Sequence, residues 1–201
     1  MKAEQALLKL IEGNRRFVEA TNGGGEVVTD ISCVDKEVQK PFAVILGCSD
    51  SRVPAELVFN CGVGDLFVVR VAGNTIAPSQ IGSIEIGCQY FGAQLVVVLG
   101  HTGCGAIAAT IDTLLDGKPR ESRGIDAIVD TVSPAINELL NVKTYNDRDY
   151  LFEIATRANI KQSVDGLSNQ SEILSDLMAN SKLKIVGAEY SIETGVVEFL
   201  Y

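Results

Sequence analysis

The sequence predicts an α/β fold built on a central, mostly parallel sheet, and three observations carry that reading. Short apolar runs at Phe42 to Leu46, Leu66 to Val71 and Leu95 to Leu99 have the length and composition of strands covered on both faces. Segments with helical spacing lie between them, joined by short connections, as in right-handed strand–helix–strand crossovers. A final pair of strand-like runs, Leu183 to Tyr190 and Val196 to Tyr201, flanks Thr194-Gly195, which reads as a hairpin and so as an antiparallel edge.

Taken in order, residues 3 to 19 place Ala6, Leu7, Leu10, Ile11 and Phe17 on one helical face, with an interruption expected at Gly13-Asn14. Thr21 to Gly25 breaks that helix, and the polar stretch to Lys40 has no sustained period, so it reads as loop with at most a helical turn. Pro41 is tolerated at the start of the first strand, which ends at Gly47. Pro54 to Phe59 reads as a short helix, and Gly62 and Gly64 release the chain into the second strand. Gly73-Asn74 marks a turn, Pro78 to Phe91 a helix, and Gln94 to Leu99 the third strand. A helix from Gly105 to Leu115 opens directly after Cys104 and stops at Asp116-Gly117-Lys118-Pro119. Further helices fill 125 to 140 and 149 to 179, with breaks expected at 145–147 and at Gly166. Residues 1–201 read as a single domain without repeats.

Composition excludes several function classes. A formal net charge of -9, with no cluster of Lys and Arg, repels a phosphate backbone, so no nucleic-acid partner is expected. The longest apolar runs are strand-sized, so no membrane span is expected. The N-terminus lacks a secretory pattern and points to the cytoplasm, or to the periplasm if a signal peptide has been removed. The cysteines, at 33, 48, 61, 88 and 104, are odd in number and widely spaced, which fits free thiols and metal ligation better than a disulfide framework.

Chemistry concentrates at two strand ends. Cys48-Ser49-Asp50-Ser51-Arg52 follows the first strand, and His101-Thr102-Gly103-Cys104 follows the third. Ligands in open sheets of this kind bind beyond the carboxyl ends of the strands. Two sulfurs, one imidazole and one carboxylate make a zinc-type donor set. His101 is the only histidine, so metal chemistry has to pass through it. Cys48 and Asp50 project to one side of an extended strand end, and Arg52 can reach back to Asp50. The helix after Cys104 turns its amides toward the same place, which favours a thiolate or a bound anion.

The runs CSDSRVP, RVAGN at Arg70 to Asn74, GSIE at Gly82 to Glu85 and VVLGHTGCGA at Val97 to Ala106 together resemble the β-class carbonic anhydrases, and the resemblance covers nearly the whole chain. It implies one Zn2+ per subunit on Cys48, His101 and Cys104, and reversible hydration of carbon dioxide to bicarbonate and a proton. Zinc brings the pKa of bound water near neutrality, and two thiolate ligands make that water less acidic, so activity is expected to rise with pH. The resemblance further implies Asp50 and Arg52 as the catalytic pair, with Asp50 a fourth zinc ligand only in a closed site. It also implies Gln39 and the Gly105 amide as contacts to bicarbonate, and a homodimer or homotetramer in which the N-terminal helix packs on a partner subunit.

Members with an inhibitory bicarbonate pocket carry Trp where this chain has Ile45, so an open site is expected. Ile86 stands where plant forms have a pocket tyrosine. Cys33, Cys61 and Cys88 belong to no motif, and Cys61 and Cys88 read as packed thiols. Two other functions compete: hydrolysis of carbonyl sulfide or carbon disulfide at the same site, and a structural zinc scaffold without turnover.

Overall fold

A computed structural model describes residues 1–24, 38–118, 122–142, 145 and 147–200. Among these, five strands form one sheet in the order β2-β1-β3-β4-β5. They are β1 (Ala43–Gly47), β2 (Leu66–Arg70), β3 (Leu95–His101), β4 (Lys184–Tyr190) and β5 (Val197–Phe199). The first four run parallel and β5 pairs antiparallel with β4, as the terminal hairpin predicts. Gly195, at φ 74°, makes the reversal.

Alternate strand residues feed two cores, one on each face. Ala43, Ile45, Leu95, Val97 and Leu99 pack with Ala6 and Leu10 of α1 (Ala3–Thr21) and with Ala55 and Val58 of α2 (Ala55–Val58). Val44, Leu46, Val96 and Val98 face the other way. They meet Ile81 and Ile84 of α3 (Pro78–Gln89), Ile160 and Leu167 of α6 (Arg148–Gln170) and Leu174 of α7 (Glu172–Ala179). A third cluster joins Cys48 and Cys104 to Ile107 and Ile111 of α4 (Gly105–Asp116) and to Val132 and Ile136 of α5 (Arg123–Val142). Within the chain, α1 packs on its own sheet; Leu8 and Ile11, on its outer side, are exposed.

Two expected breaks are not breaks. Helix α1 runs through Gly13-Asn14, because Gly13 lets the helix touch another backbone: a Cβ there would lie 1.9 Å from the Phe59 carbonyl oxygen. Asn14 is buried and acts as a dock, donating to the carbonyls of Val58 and Gly195 and accepting from the Val197 amide. Helix α6 likewise continues through Gly166, where a Cβ would meet Ile76 Cδ1 at 2.3 Å. The chain breaks instead at Ser171, whose hydroxyl caps α7 by accepting the Leu174 amide. The break before α6 is where it was expected, and Asp147 caps that helix by accepting the amides of Asp149 and Tyr150. The loop reading for the stretch before Lys40 falls largely on residues 25–37, outside the described residues, as does Cys33.

Strand β1 connects through α2 to β2 on one side, and β2 connects through α3 to β3 on the other. The connections therefore diverge between β1 and β3, and a crevice opens at the carboxyl ends of those two strands. Both chemically rich motifs lie there.

Candidate metal centre

Cys48 follows the last residue of β1, His101 is the last residue of β3, and Cys104 is the N-cap of α4. Their ligand atoms all lie within 4.8 Å of one another, with the two sulfurs 4.0 Å apart. All three residues are buried. The His101 ring is oriented by its own backbone neighbour: Nδ1–H donates to the Thr102 carbonyl at 2.9 Å, which leaves Nε2 with the lone pair. That Nε2 is buried and has no hydrogen-bond partner. An imidazole nitrogen orphaned beside two sulfurs is what a tetrahedral zinc ion would satisfy, so the donor set fits the metal.

Around the sulfurs the electrostatics are uneven. The Cys104 thiol 4.0 Å away, with the neighbouring His101 ring and the Gly73 amide, outweighs burial and drives the Cys48 thiol far down. Cys104 moves far up under its bond to Cys48 and its burial, against the amides of Ile107 and Ala106 at the start of α4. Two sulfurs this close oppose each other's negative charge. A cation between them removes that conflict. Burial opposes a charged His101, yet the Cys48 sulfur and the Thr102 carbonyl outweigh it and leave its pKa raised. Cys61 and Cys88 lack such partners, and burial pushes both up to about 12. They are packed thiols, as their sequence contexts predict.

Asp50 lies at the rim of this pocket. Arg52 grips it with Nε–H to Oδ1 at 2.9 Å and Nη2–H to Oδ2 at 2.7 Å, and the Arg52 amide donates to Oδ1 at 2.9 Å. These bonds hold the carboxyl well below the usual carboxylate range. Asp50 Oδ2 is 4.0 Å from His101 Nε2. The Asp50 side chain is 17% exposed and that of Arg52 54%, so the pair faces solvent while the donors do not.

The structure adds residues that the sequence reading did not assign. Arg70 lies opposite Gly47 in the β1–β2 register, and its guanidinium donates to the carbonyls of Cys48 and Asp50, fixing the loop between them. The run RVAGN held the signal, but the register that aims Arg70 at this loop is a property of the folded sheet. The 3-10 turn Ala72–Asn74 brings the Gly73 amide to Cys48 Sγ at 3.3 Å. Gly105 opens α4, and its amide is among those without an intrahelical acceptor. Ile45 is fully buried in β1, whereas Ile86 of α3 is exposed. Gln39 is exposed and precedes β1. The whole of β1 separates it from Cys48, roughly 15 Å of strand, so one chain does not bring Gln39 to its own metal centre.

The profile of the carbonic anhydrase family matches residues 43–197, which span both ligand motifs. The chain belongs to the carbonic anhydrase family. This carbonic anhydrase is 37% identical over 186 residues to carbonic anhydrase 2 of Mycobacterium tuberculosis, covering 92% of this chain and 87% of that one. Its fold matches a Coccomyxa β-carbonic anhydrase with a TM-score of 0.74 at 23% identity, over 95% of this chain and 84% of that one. It also matches a structure from a report on two tetrameric β-carbonic anhydrases of Sordaria macrospora, with a TM-score of 0.72 at 21% identity, over 81% and 82%. The carbonic anhydrase is thus of the β class, an enzyme of carbon dioxide hydration, and Cys48, His101 and Cys104 form the zinc site typical of that class. Among the described residues no helix is long and apolar enough to cross a membrane.

Proposed function

We propose that the chain hydrates carbon dioxide reversibly in an open site, with zinc on Cys48, His101 and Cys104 and with Asp50 drawn away from the metal by Arg52. The observation that carries this reading is the two-pronged Arg52 grip on Asp50, beside a buried and unpartnered His101 Nε2. When bound, zinc supplies the Lewis acidity that makes water nucleophilic near neutral pH.

The protein's own groups do the rest. Asp50, kept ionised by Arg52, accepts the hydrogen of the attacking water and so turns a lone pair toward carbon dioxide. An anion with no hydrogen to offer meets a carboxylate and is turned away. Arg52 is the positioning residue of the pair, and Arg70 holds the backbone on which both are mounted. The Gly105 amide is the proposed donor to bicarbonate, where the start of α4 favours negative charge. Since His101 is the only histidine, the released proton leaves to buffer or through carboxylates and tyrosines.

Gln39 contributes in this reading from a second copy of the chain, since it lies at the opposite end of β1 from Cys48. A homodimer or homotetramer follows, supported by the exposed Leu8 and Ile11 of α1 and by the tetrameric Sordaria relatives. Cytoplasmic residence is supported by the unbridged cysteines 48, 61, 88 and 104.

Zinc analysis combined with stopped-flow carbon dioxide hydration tests the reading. One zinc per chain and a rate that climbs with pH are expected. Asp50→Asn should retain zinc and stability while turnover falls by roughly 10²–10⁴-fold. If that variant lost stability and zinc while no turnover was measurable in the parent, a structural zinc module would be the better account. Sulfide release from carbonyl sulfide far outpacing carbon dioxide hydration would reassign the substrate.

A further inference from the structure

Helix α6 carries no metal ligand, yet two adjacent residues in its middle touch both limbs of the metal centre. Asn159 is 1% exposed, and its Nδ2 donates to the Gly73 carbonyl at 2.8 Å. The amide of that same Gly73 donates to Cys48 Sγ. One helical turn on, Ser163 holds the next carbonyl, that of Asn74, at 3.1 Å. Gly73 has φ 68°, and a Cβ there would lie 2.9 Å from the Cβ of Ala106 in α4, so the turn is wedged between two helices and has no slack. Ile160 presses on the other limb: its Cδ1 and Cγ1 would lie 2.6 Å from a Cβ on Gly100, the residue before His101.

We propose that Asn159 is a positioning residue of the metal centre, acting through Gly73 to keep an amide donor on the Cys48 thiolate. The inference rests on the zinc reading above. The reasoning follows the chain of contacts. A thiolate ligand that accepts an N–H bond gives less charge to its metal and is held in one orientation. The amide can point at the sulfur only while the left-handed Gly73 stays in place, and what holds its carbonyl is a side chain from another layer of the fold. Asparagine suits this task because its amide group is a neutral donor that needs no counter-ion in a buried position. An aspartate in the same space has the shape without the donor, and a leucine has the volume without either.

The test is zinc affinity by chelator competition, together with the thiolate-to-metal charge-transfer band of the cobalt-substituted protein, in wild type, Asn159→Leu and Asn159→Asp. Both variants should hold zinc about 10–100-fold more weakly, and the charge-transfer band should shift. Gln162→Leu is the control for a purely structural loss. Gln162 lies on the same helix and donates Nε2 to the Thr131 carbonyl in α5 rather than to the Gly73–Asn74 turn. It should lower the melting temperature of the metal-free protein and leave affinity and band unchanged. Either Asn159 variant, folded, with zinc affinity within about twofold of wild type and an unmoved band, overturns the proposal. Failure of wild type itself to bind zinc overturns the metal-centre reading instead.

Discussion

Cys48 on one side, Cys61 and Cys88 on the other, are buried to the same depth, each 5% exposed, and yet they are chemically opposite. For Cys61 and Cys88, burial acts almost unopposed and fixes a neutral, inert thiol. For Cys48, the same desolvation is outweighed by a neighbouring sulfur, an imidazole and a backbone amide. What separates Cys48 from an inert buried thiol is therefore the set of groups turned toward its sulfur. Those groups belong to the ends of strands and the start of a helix, where backbone groups are not consumed by the ladder or the helix itself. Cys88 lies within α3 and Cys61 in the turn after α2, with only the Phe59 carbonyl near its sulfur at 3.4 Å.

The largest break in this comparison comes from deleting its defining partner. His101→Ala should abolish stoichiometric zinc, by metal analysis, and bring carbon dioxide hydration down to the buffer background, although the fold persists by circular dichroism. A subtler change leaves every ligand in place: Gly100→Ala inserts a methyl against Ile160 and should destabilise by roughly 1–3 kcal/mol in urea unfolding. It should also weaken zinc binding, since the strand end carrying His101 has to move. By contrast, Cys61→Ala and Cys88→Ala should each cost about 1 kcal/mol, in the same unfolding assay, and leave zinc content and turnover unchanged. A measurable loss of zinc in either would collapse the distinction.

The smallest expected effect asks whether burial alone moves a carboxyl as it moves Cys88. Glu189 is 6% exposed, and burial raises its pKa against the opposing pull of Arg157, whose guanidinium also holds Glu198. An acid whose folded pKa is raised contributes stability that is fully present below its unfolded value, about 4.3, and is lost as pH rises through the folded one. The difference in melting temperature between wild type and Glu189→Gln should therefore drift against wild type as pH rises from about 4 toward neutrality. A flat difference would show that Arg157 fully offsets the burial.

The donor trio was legible in the sequence because Cys48 directly follows one strand, His101 ends another and Cys104 caps the helix that opens just after it, and short connections restrict which strands can be neighbours. The same holds for the Asp50–Arg52 pair, whose spacing is local. What was not legible depends on contacts between distant segments. Arg70 reaches the Cys48–Asp50 loop only through the β1–β2 register, and Asn159 reaches Gly73 across 86 residues. Gly13 and Gly166 looked like helix breaks because glycine costs helical stability. Their actual reason is a neighbour's atom, the Phe59 carbonyl or the Ile76 side chain, that leaves no room for a methyl. The resemblance implies a role for Gln39, and one chain's sequence does not show which copy of the chain it would serve, because the strand between it and Cys48 places the two at opposite ends of β1.

Asn14 makes its hydrogen bonds to Val58, Gly195 and Val197. Two of those partners lie 181 and 183 residues further along the chain, so α1 is fully secured only once that distant hairpin has formed. Until the β4–β5 hairpin forms, α1 has a polar group facing its docking surface with only part of its bonding satisfied, and the helix remains free to engage other surfaces. Removal of residues 195–200 would consequently be felt far away along the sequence, as a loosened α1.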